Sequence, residues 1–167
     1  MTKCYGEIGL SKNLKLKYSL FTLLSALLIA VDLWTKAWIV KVSGGVEGVG
    51  PEVIPGILKF TYIKNEGASM GILAGQKIIL IILTFVILGI GVCFFAKRKP
   101  THPLVLTASS LILGGALGNL VDRVWLGYVR DFIDLQFIKF YVFNIADCAI
   151  CIGAGLLLIY AFRNIED

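Results

Sequence analysis

Apolar residues along this chain gather into four long runs. The first extends from Tyr18 to Val40 and is interrupted late by Asp32 and Lys36. The second, Ile78 to Ala96, is almost purely Ile, Leu, Val, Phe and Gly; the third runs from Leu104 to Val121 and the fourth from Phe143 to Phe162. Each is close to the roughly 17–25 residues that a helix needs to cross about 30 Å of hydrocarbon. The pattern therefore predicts four transmembrane helices over 18–40, 78–96, 104–121 and 143–162, within one membrane-embedded domain covering 1–167. The third run carries Ala108, Ser109, Ser110, Gly114, Gly115 and Gly118, small residues that let helices approach closely in lipid. The 41–77 connection is too long to be a simple loop. Glycines and prolines break its first half, and then Leu58, Phe60 and Tyr62 alternate with Lys59, Thr61 and Ile63. That period of two reads as a short strand. The expected fold class is an all-α integral membrane protein of four transmembrane helices, with a small extracytoplasmic β-sheet and amphipathic loop.

Composition supports the membrane assignment. Of 167 residues, 57% are hydrophobic and 16% charged, whereas soluble domains carry about 25% charged residues. One small core cannot hide the excess, so much of it faces lipid. The net charge of +5 could suggest nucleic acid, but no such binding signature accompanies it. The basic residues instead cluster as Lys12, Lys15 and Lys17 before the first run and Lys97, Arg98 and Lys99 after the second. By the positive-inside rule both clusters, and both termini, are cytoplasmic, which leaves the 41–77 and 122–142 loops outside. The N-terminal stretch resembles a cleavable signal, yet Asp32, Trp34 and Lys36 follow it instead of a small-x-small site, so it reads as a retained helix. The four cysteines do not form a disulfide framework. Cys148 and Cys151 are one helical turn apart, but zinc wants four ligands and the sole histidine, His102, is far along the chain. Cys93, Cys148 and Cys151 are read as small buried hydrophobes, and neither a metal nor a cofactor is expected.

This topology carries the unusual polar residues to one membrane face: Asp32 and Lys36; Asn65 to Gly71; Asn119, Asp122, Arg123 and Asp131; Asn144 and Asp147. Ionisable groups beside a span are costly and read as functional by default. Most have a plain alternative. Asp32 and Lys36 stand i,i+4 in the favoured order and read as a helix ion pair. Asn119 and Arg123 share a helix face, and Arg123 could snorkel to headgroups. Asn144 suits an N-cap. Asp122 and Asp134 fall in the outer loop and receive no role. Asp147 is harder to dismiss: the helix dipole favours an acid in the first turn but does not account for its apolar neighbours. Asp131, within Val129-Arg-Asp-Phe-Ile133, is the best second carboxylate, its apolar neighbours carrying it back toward the membrane. Two close carboxylates share a proton and can activate water. A metalloprotease HExxH motif is absent from the sequence, and His102 is expected at the opposite face. A proton-coupled transporter would show repeated halves and midplane charges instead; a non-catalytic assembly protein would tolerate loss of the carboxylates.

The segments Asp32-Leu-Trp-Thr-Lys36, Asn65-Glu-Gly-Ala-Ser-Met-Gly71, Gly114-Gly-Ala-Leu-Gly-Asn-Leu-Val-Asp-Arg123, Val129-Arg-Asp-Phe-Ile133 and Phe143-Asn-Ile-Ala-Asp147 resemble, in order, the motifs of bacterial lipoprotein signal peptidase (signal peptidase II). The resemblance implies an aspartic endopeptidase of the bacterial inner membrane, or of the sole membrane of a Gram-positive cell, cleaving prolipoproteins just before a diacylglyceryl-modified cysteine. It implies Asp131 and Asp147 as the catalytic dyad, with Asn65, Gly67, Asn119, Arg123 and Asn144 lining the substrate site and Asp32 and Lys36 supporting it. It further implies a mobile amphipathic segment over the site, inhibition by globomycin at the dyad, and a monomer whose partners are lipidated prolipoproteins and membrane lipid. Met70 and Cys148 depart from the family's usual phenylalanine and serine.

Overall fold

The computed structural model describes residues 2–67, 73 and 75–164, with side chains from residue 12 onward. Met70 lies outside the described residues, as do positions 68–72 and 74 of the 44–75 loop to which the resemblance gives a mobile amphipathic segment. Along the chain run α1 (Thr2–Val42), β1 (Glu52–Ile54), β2 (Leu58–Asn65), α2 (Lys77–Arg98), α3 (Pro103–Trp125), β3 (Val129–Leu135) and α4 (Ile145–Arg163). All four helices are long and apolar enough to span a membrane. The spanning part of α1, Lys12–Val42, has 31 residues, about 46 Å at 1.5 Å per residue. It exceeds the hydrocarbon thickness, so one end projects beyond the core or the helix tilts.

Helix α3 is the centre of the bundle. Its small residues face α1 and α4: a Cβ on Gly115 would lie 2.5 Å from the Ala146 carbonyl, and one on Gly118 2.5 Å from Asp32 Oδ2. Helix α2 lies at the periphery, burying only Leu80. Its exposed isoleucines, leucines and phenylalanines form a lipid-facing surface, where hydrophobic side chains need no protein partner. The cysteines follow the same logic and correct the expectation of burial. Cys93 and Cys151 are exposed and Cys148 is half-buried, since apolar positions on a membrane helix point outward as readily as inward.

Two contacts define one end of the bundle. Lys17 Nζ donates to the Thr101 carbonyl at 3.1 Å, and Tyr18 Oη to the Pro100 carbonyl at 3.2 Å. The start of α1 and the α2–α3 turn, which hold the two basic clusters, are therefore neighbours. His102 caps α3 at this end, its Nδ1 accepting from Leu104 N.

The sheet sits at the other end, in the order β1-β2-β3 with both pairings antiparallel. Its core is Ile39, Tyr62 and Phe132. Edge-to-face contacts from Trp38 to Phe60 (5.6 Å between centroids) and from Phe60 to Phe132 (5.7 Å) seat it on the last turns of α1. The strand expected at 58–63 extends to Asn65. The 122–142 region is not a plain loop. Asp122 and Arg123 belong to α3, and Val129–Leu135 is a strand, so Asp131 is held beside the membrane by sheet pairing and not by apolar neighbours dipping into lipid. Phe143 bridges Ile133, which delays the start of α4 to Ile145.

Candidate active site

Two helix ends and two strands deliver the polar groups. In the β2–β3 ladder Ile63 pairs with Asp131 and Asn65 with Val129, so Asn65 and Asp131 share a face as diagonal neighbours. Asn65 Nδ2 donates to Asp131 Oδ2 at 2.7 Å. The Phe143–Ile133 bridge brings the next residue, Asn144, alongside the same carboxylate, and its Nδ2 donates to Asp131 Oδ1 at 2.6 Å. Asn144 is also the N-cap of α4: its Oδ1 accepts from Asp147 N at 2.9 Å while its own N–H donates to Asp147 Oδ2 at 3.2 Å. This capping box fixes Asp147, which is half-buried. The other Asp147 oxygen, Oδ1, accepts from Asn119 Nδ2 of α3 at 2.8 Å. Asp131, by contrast, is buried at 1% exposure. The two carboxyls so belong to one network, joined through the amide of Asn144 and receiving an N–H donor on each of their four oxygens.

Beneath this network lies a second one made of ions. Lys36 Nζ donates to Asp32 Oδ2 at 2.7 Å and to Asn119 Oδ1 at 2.8 Å, and lies 3.7 Å from Asp122 Oδ2. Asp32 and Lys36 are both fully buried. Asp32 Oδ1 accepts the Ala146 N–H, one of the α4 donors that the helix itself leaves unpaired. The i,i+4 pair is thus present, but as the link between α1, α3 and α4 and not as a surface pair. Because an ammonium only donates, Lys36 holds the Asn119 oxygen toward itself and the Asn119 nitrogen toward Asp147.

Asp122 was given no role on sequence, and that is corrected here. It is 1% exposed and accepts three bonds from Arg130: from N at 3.0 Å, Nε at 3.1 Å and Nη2 at 2.6 Å. It thereby clamps the first residues of β3 to α3, one residue from Asp131. Asp134, also assigned nothing, accepts from Thr61 Oγ1 at 2.8 Å and so ties β3 to β2. The available signal was Asp122's place near a helix C-terminus, where an acid opposes the dipole and needs a cation close by.

Arg123 Nη2 donates to the Gly67 carbonyl at 3.0 Å, and Gly67 N to Asn65 Oδ1 at 2.9 Å. These contacts place Gly67, Asn65 and Arg123 around the same carboxyls. Among the described residues every buried polar side-chain atom has a hydrogen-bond partner.

Burial, and then the neighbouring Asp147 carboxylate, push the Asp131 carboxyl up to about 7, against the opposing pull of the Asn65 and Asn144 donors and the Lys36 ammonium. Asp32 and Asp122 offset Lys36 and Arg130, and the Arg123 guanidinium stands near the Asp131 and Asp147 carboxyls. Such a pair can accept a proton from water and donate one to a carbonyl oxygen.

The chain is similar to known proteins over most of its length. The family model described as signal peptidase (SPase) II matches residues 24–163. The lipoprotein signal peptidase of Lactobacillus johnsonii is 38% identical over 146 residues, 87% of this chain and 94% of that protein. The lipoprotein signal peptidase of Haemophilus influenzae is 41% identical over 150 residues, 86% of each chain. A bacterial membrane enzyme solved by the in meso method at 2.3 Å superposes with a TM-score of 0.81 at 36% identity, over 87% of this chain and 89% of that one. With the match running from the middle of α1 to the last turn of α4, this chain belongs to the signal peptidase II family of aspartic membrane peptidases.

Proposed function

We propose that Asp131 and Asp147 are the catalytic pair with which this signal peptidase II removes signal peptides from diacylglyceryl-modified prolipoproteins, cutting the bond before the lipidated cysteine. The observation that carries the assignment is the joint anchoring of both carboxyls by Asn144, whose side-chain Nδ2 donates to Asp131 of the sheet and whose backbone N–H donates to Asp147 at the start of α4. The ionised member takes a proton from water, and the resulting hydroxide attacks the scissile carbonyl. The protonated member gives its proton to that carbonyl oxygen, so the tetrahedral intermediate is a neutral gem-diol. On its collapse the proton taken from water passes to the leaving amine, one gem-diol hydroxyl returns its proton to the other aspartate as the C=O re-forms, and the pair is again singly protonated. Metal and cofactor have no part in these steps.

Asn65, Gly67, Asn119, Arg123 and Asn144 frame the substrate. Asn119 and Asn144 spend their amides on the carboxyls. Arg123 has guanidinium donors beyond the one facing Gly67 and can hold substrate carbonyl or headgroup oxygens. Asp32 and Lys36 act through Asn119 and the start of α4. All residues of the proposed site lie on one chain, and the proposed active form is the monomer. The positive-inside rule puts the basic end of the bundle in the cytoplasm and the site at the outer face of the bacterial inner membrane. There the scissile bond is presented at the lipid–water boundary, with the signal helix among the spans. Two acyl chains on the substrate cysteine set its depth, at about 0.8 kcal/mol per buried CH₂, and so lipid governs selection more than side-chain sequence does.

The test is cleavage by purified enzyme of a diacylglyceryl-prolipoprotein and of the same protein with its acceptor cysteine changed to serine, each with and without globomycin. Only the lipidated form should be cut, and globomycin, binding at the carboxyl pair, should stop it. Equal rates on both forms would leave a general aspartic peptidase and end the lipid-gated account.

A further inference from the structure

Away from the site, the far end of the sheet exposes an apolar cluster that the chemistry does not use. The β1–β2 turn contributes Ile54 and Ile57, and the β3–α4 connection contributes Phe137, Ile138, Phe140 and Tyr141. The Gln136 N–H donates to the Ile57 carbonyl at 2.9 Å, so the two segments are one patch. Phe137 is 61% and Tyr141 60% exposed. A folded protein in water does not usually leave aromatic side chains so bare in one contiguous place.

We propose that this patch is an interfacial anchor that inserts into the headgroup–acyl boundary of the bilayer on the sheet side of the bundle. Three observations choose lipid over a protein partner. Tyr141 stands four residues before Ile145, the first residue of a membrane-spanning helix, so the tether keeps the connection at the membrane boundary. The helix it leads into, α4, is itself a membrane-spanning segment and exposes Ile152 and Leu158. The composition of the β3–α4 connection, two phenylalanines, a tyrosine and an isoleucine around exposed Lys139, is that of interfacial segments, which sink aromatic rings and leave a lysine at the headgroups. Since the connection joins β3 to α4, its insertion fixes the height of the strand carrying Asp131 relative to the lipid. This goes beyond the assignment of the carboxyl pair and does not depend on it.

The experiment measures depth directly. In the full chain, with Cys4, Cys93, Cys148 and Cys151 replaced by serine or alanine, single cysteines are introduced as Ile54→Cys, Ile138→Cys and Phe140→Cys, with Lys64→Cys as a solvent control. Each is nitroxide-labelled and reconstituted in phosphatidylcholine–phosphatidylglycerol vesicles. Collision with oxygen, which concentrates in lipid, is compared with collision with a water-soluble nickel chelate. Labels at 54, 138 and 140 should favour oxygen severalfold, and the label at 64 should favour nickel. Adding Phe137→Asp and Phe140→Asp should move the label at 138 severalfold toward nickel. Free access of nickel to all three patch positions would overturn the proposal. So would protection from both reagents, which is the signature of a covering protein surface.

Discussion

The carboxamide of Asn144 cannot flip without cost, because its oxygen closes the first turn of α4 and its nitrogen reaches Asp131 Oδ1. Asn65 holds Asp131 from the sheet side, its own oxygen accepting the Gly67 N–H, and it caps no helix. That difference makes Asn65 the place to read the titration of the pair. The Asp131 carboxyl at about 7 stands above the ordinary aspartate value of about 3.9, so the folded protein binds this proton more tightly than the unfolded chain. The stability contribution therefore falls as pH rises through that window and is constant above it. Activity has the same sign: the shared proton is present below about 7 and lost above it, so kcat/KM should decline on an alkaline limb near 7. Asn65→Ala removes a donor that favours the ionised form and should move this limb to higher pH. Rates of the parent and of Asn65→Ala between about pH 5 and about pH 9 decide the matter. A parent profile without an alkaline limb, or a limb that moves down in the variant, would contradict the assignment.

Elements differ in how plainly they announce themselves. The four helices were legible because about twenty apolar residues in a row have few other fates, and Asn144 as a cap and Asp32–Lys36 as a pair follow from local spacing. Strand β3 was not legible. Its burial does not alternate cleanly, with Asp131 and Phe132 both buried, and what makes it a strand is pairing with β2, some 66 residues earlier. Asp122 was misplaced for a related reason: apolar Val124 and Trp125 extend α3 beyond the expected end at Val121, and Arg130, its partner, is reached only after the chain turns. Two substitutions test these joints. Gly118→Ala drives a methyl to 2.5 Å from Asp32 Oδ2, overpacking of a kind that costs about 1–3 kcal/mol, and should lower the thermal midpoint in detergent. Asp122→Ala strips Arg130 and Lys36 of a buried partner, a loss of about 3–5 kcal/mol, and should lower the midpoint further while reducing cleavage. A wild-type midpoint for Asp122→Ala would show that the clamp on β3 carries little.

For the whole molecule, the polar residues collect at the sheet end and the basic clusters meet at the other. Parity of crossings made that collection legible before any contact was known, although the hydrogen bonds around Asp131 and Asp147 were not. The resulting topology predicts that cysteines introduced as Val46→Cys and Leu126→Cys, in a chain lacking its native ones, react with a membrane-impermeant thiol reagent in intact cells. Protection of both until the membrane is permeabilised would reverse the orientation. The central claim is that two carboxyls with one proton between them perform the hydrolysis. Single-turnover cleavage of a diacylglyceryl-prolipoprotein by Asp131→Asn and by Asp147→Asn tests it most directly, with membrane insertion and thermal midpoint measured alongside. An amide cannot cycle a proton, and it is cheaper than a carboxylate beside lipid. Each variant should therefore insert and fold while cleavage falls by several orders of magnitude; near-normal cleavage by either would remove that aspartate from the chemistry.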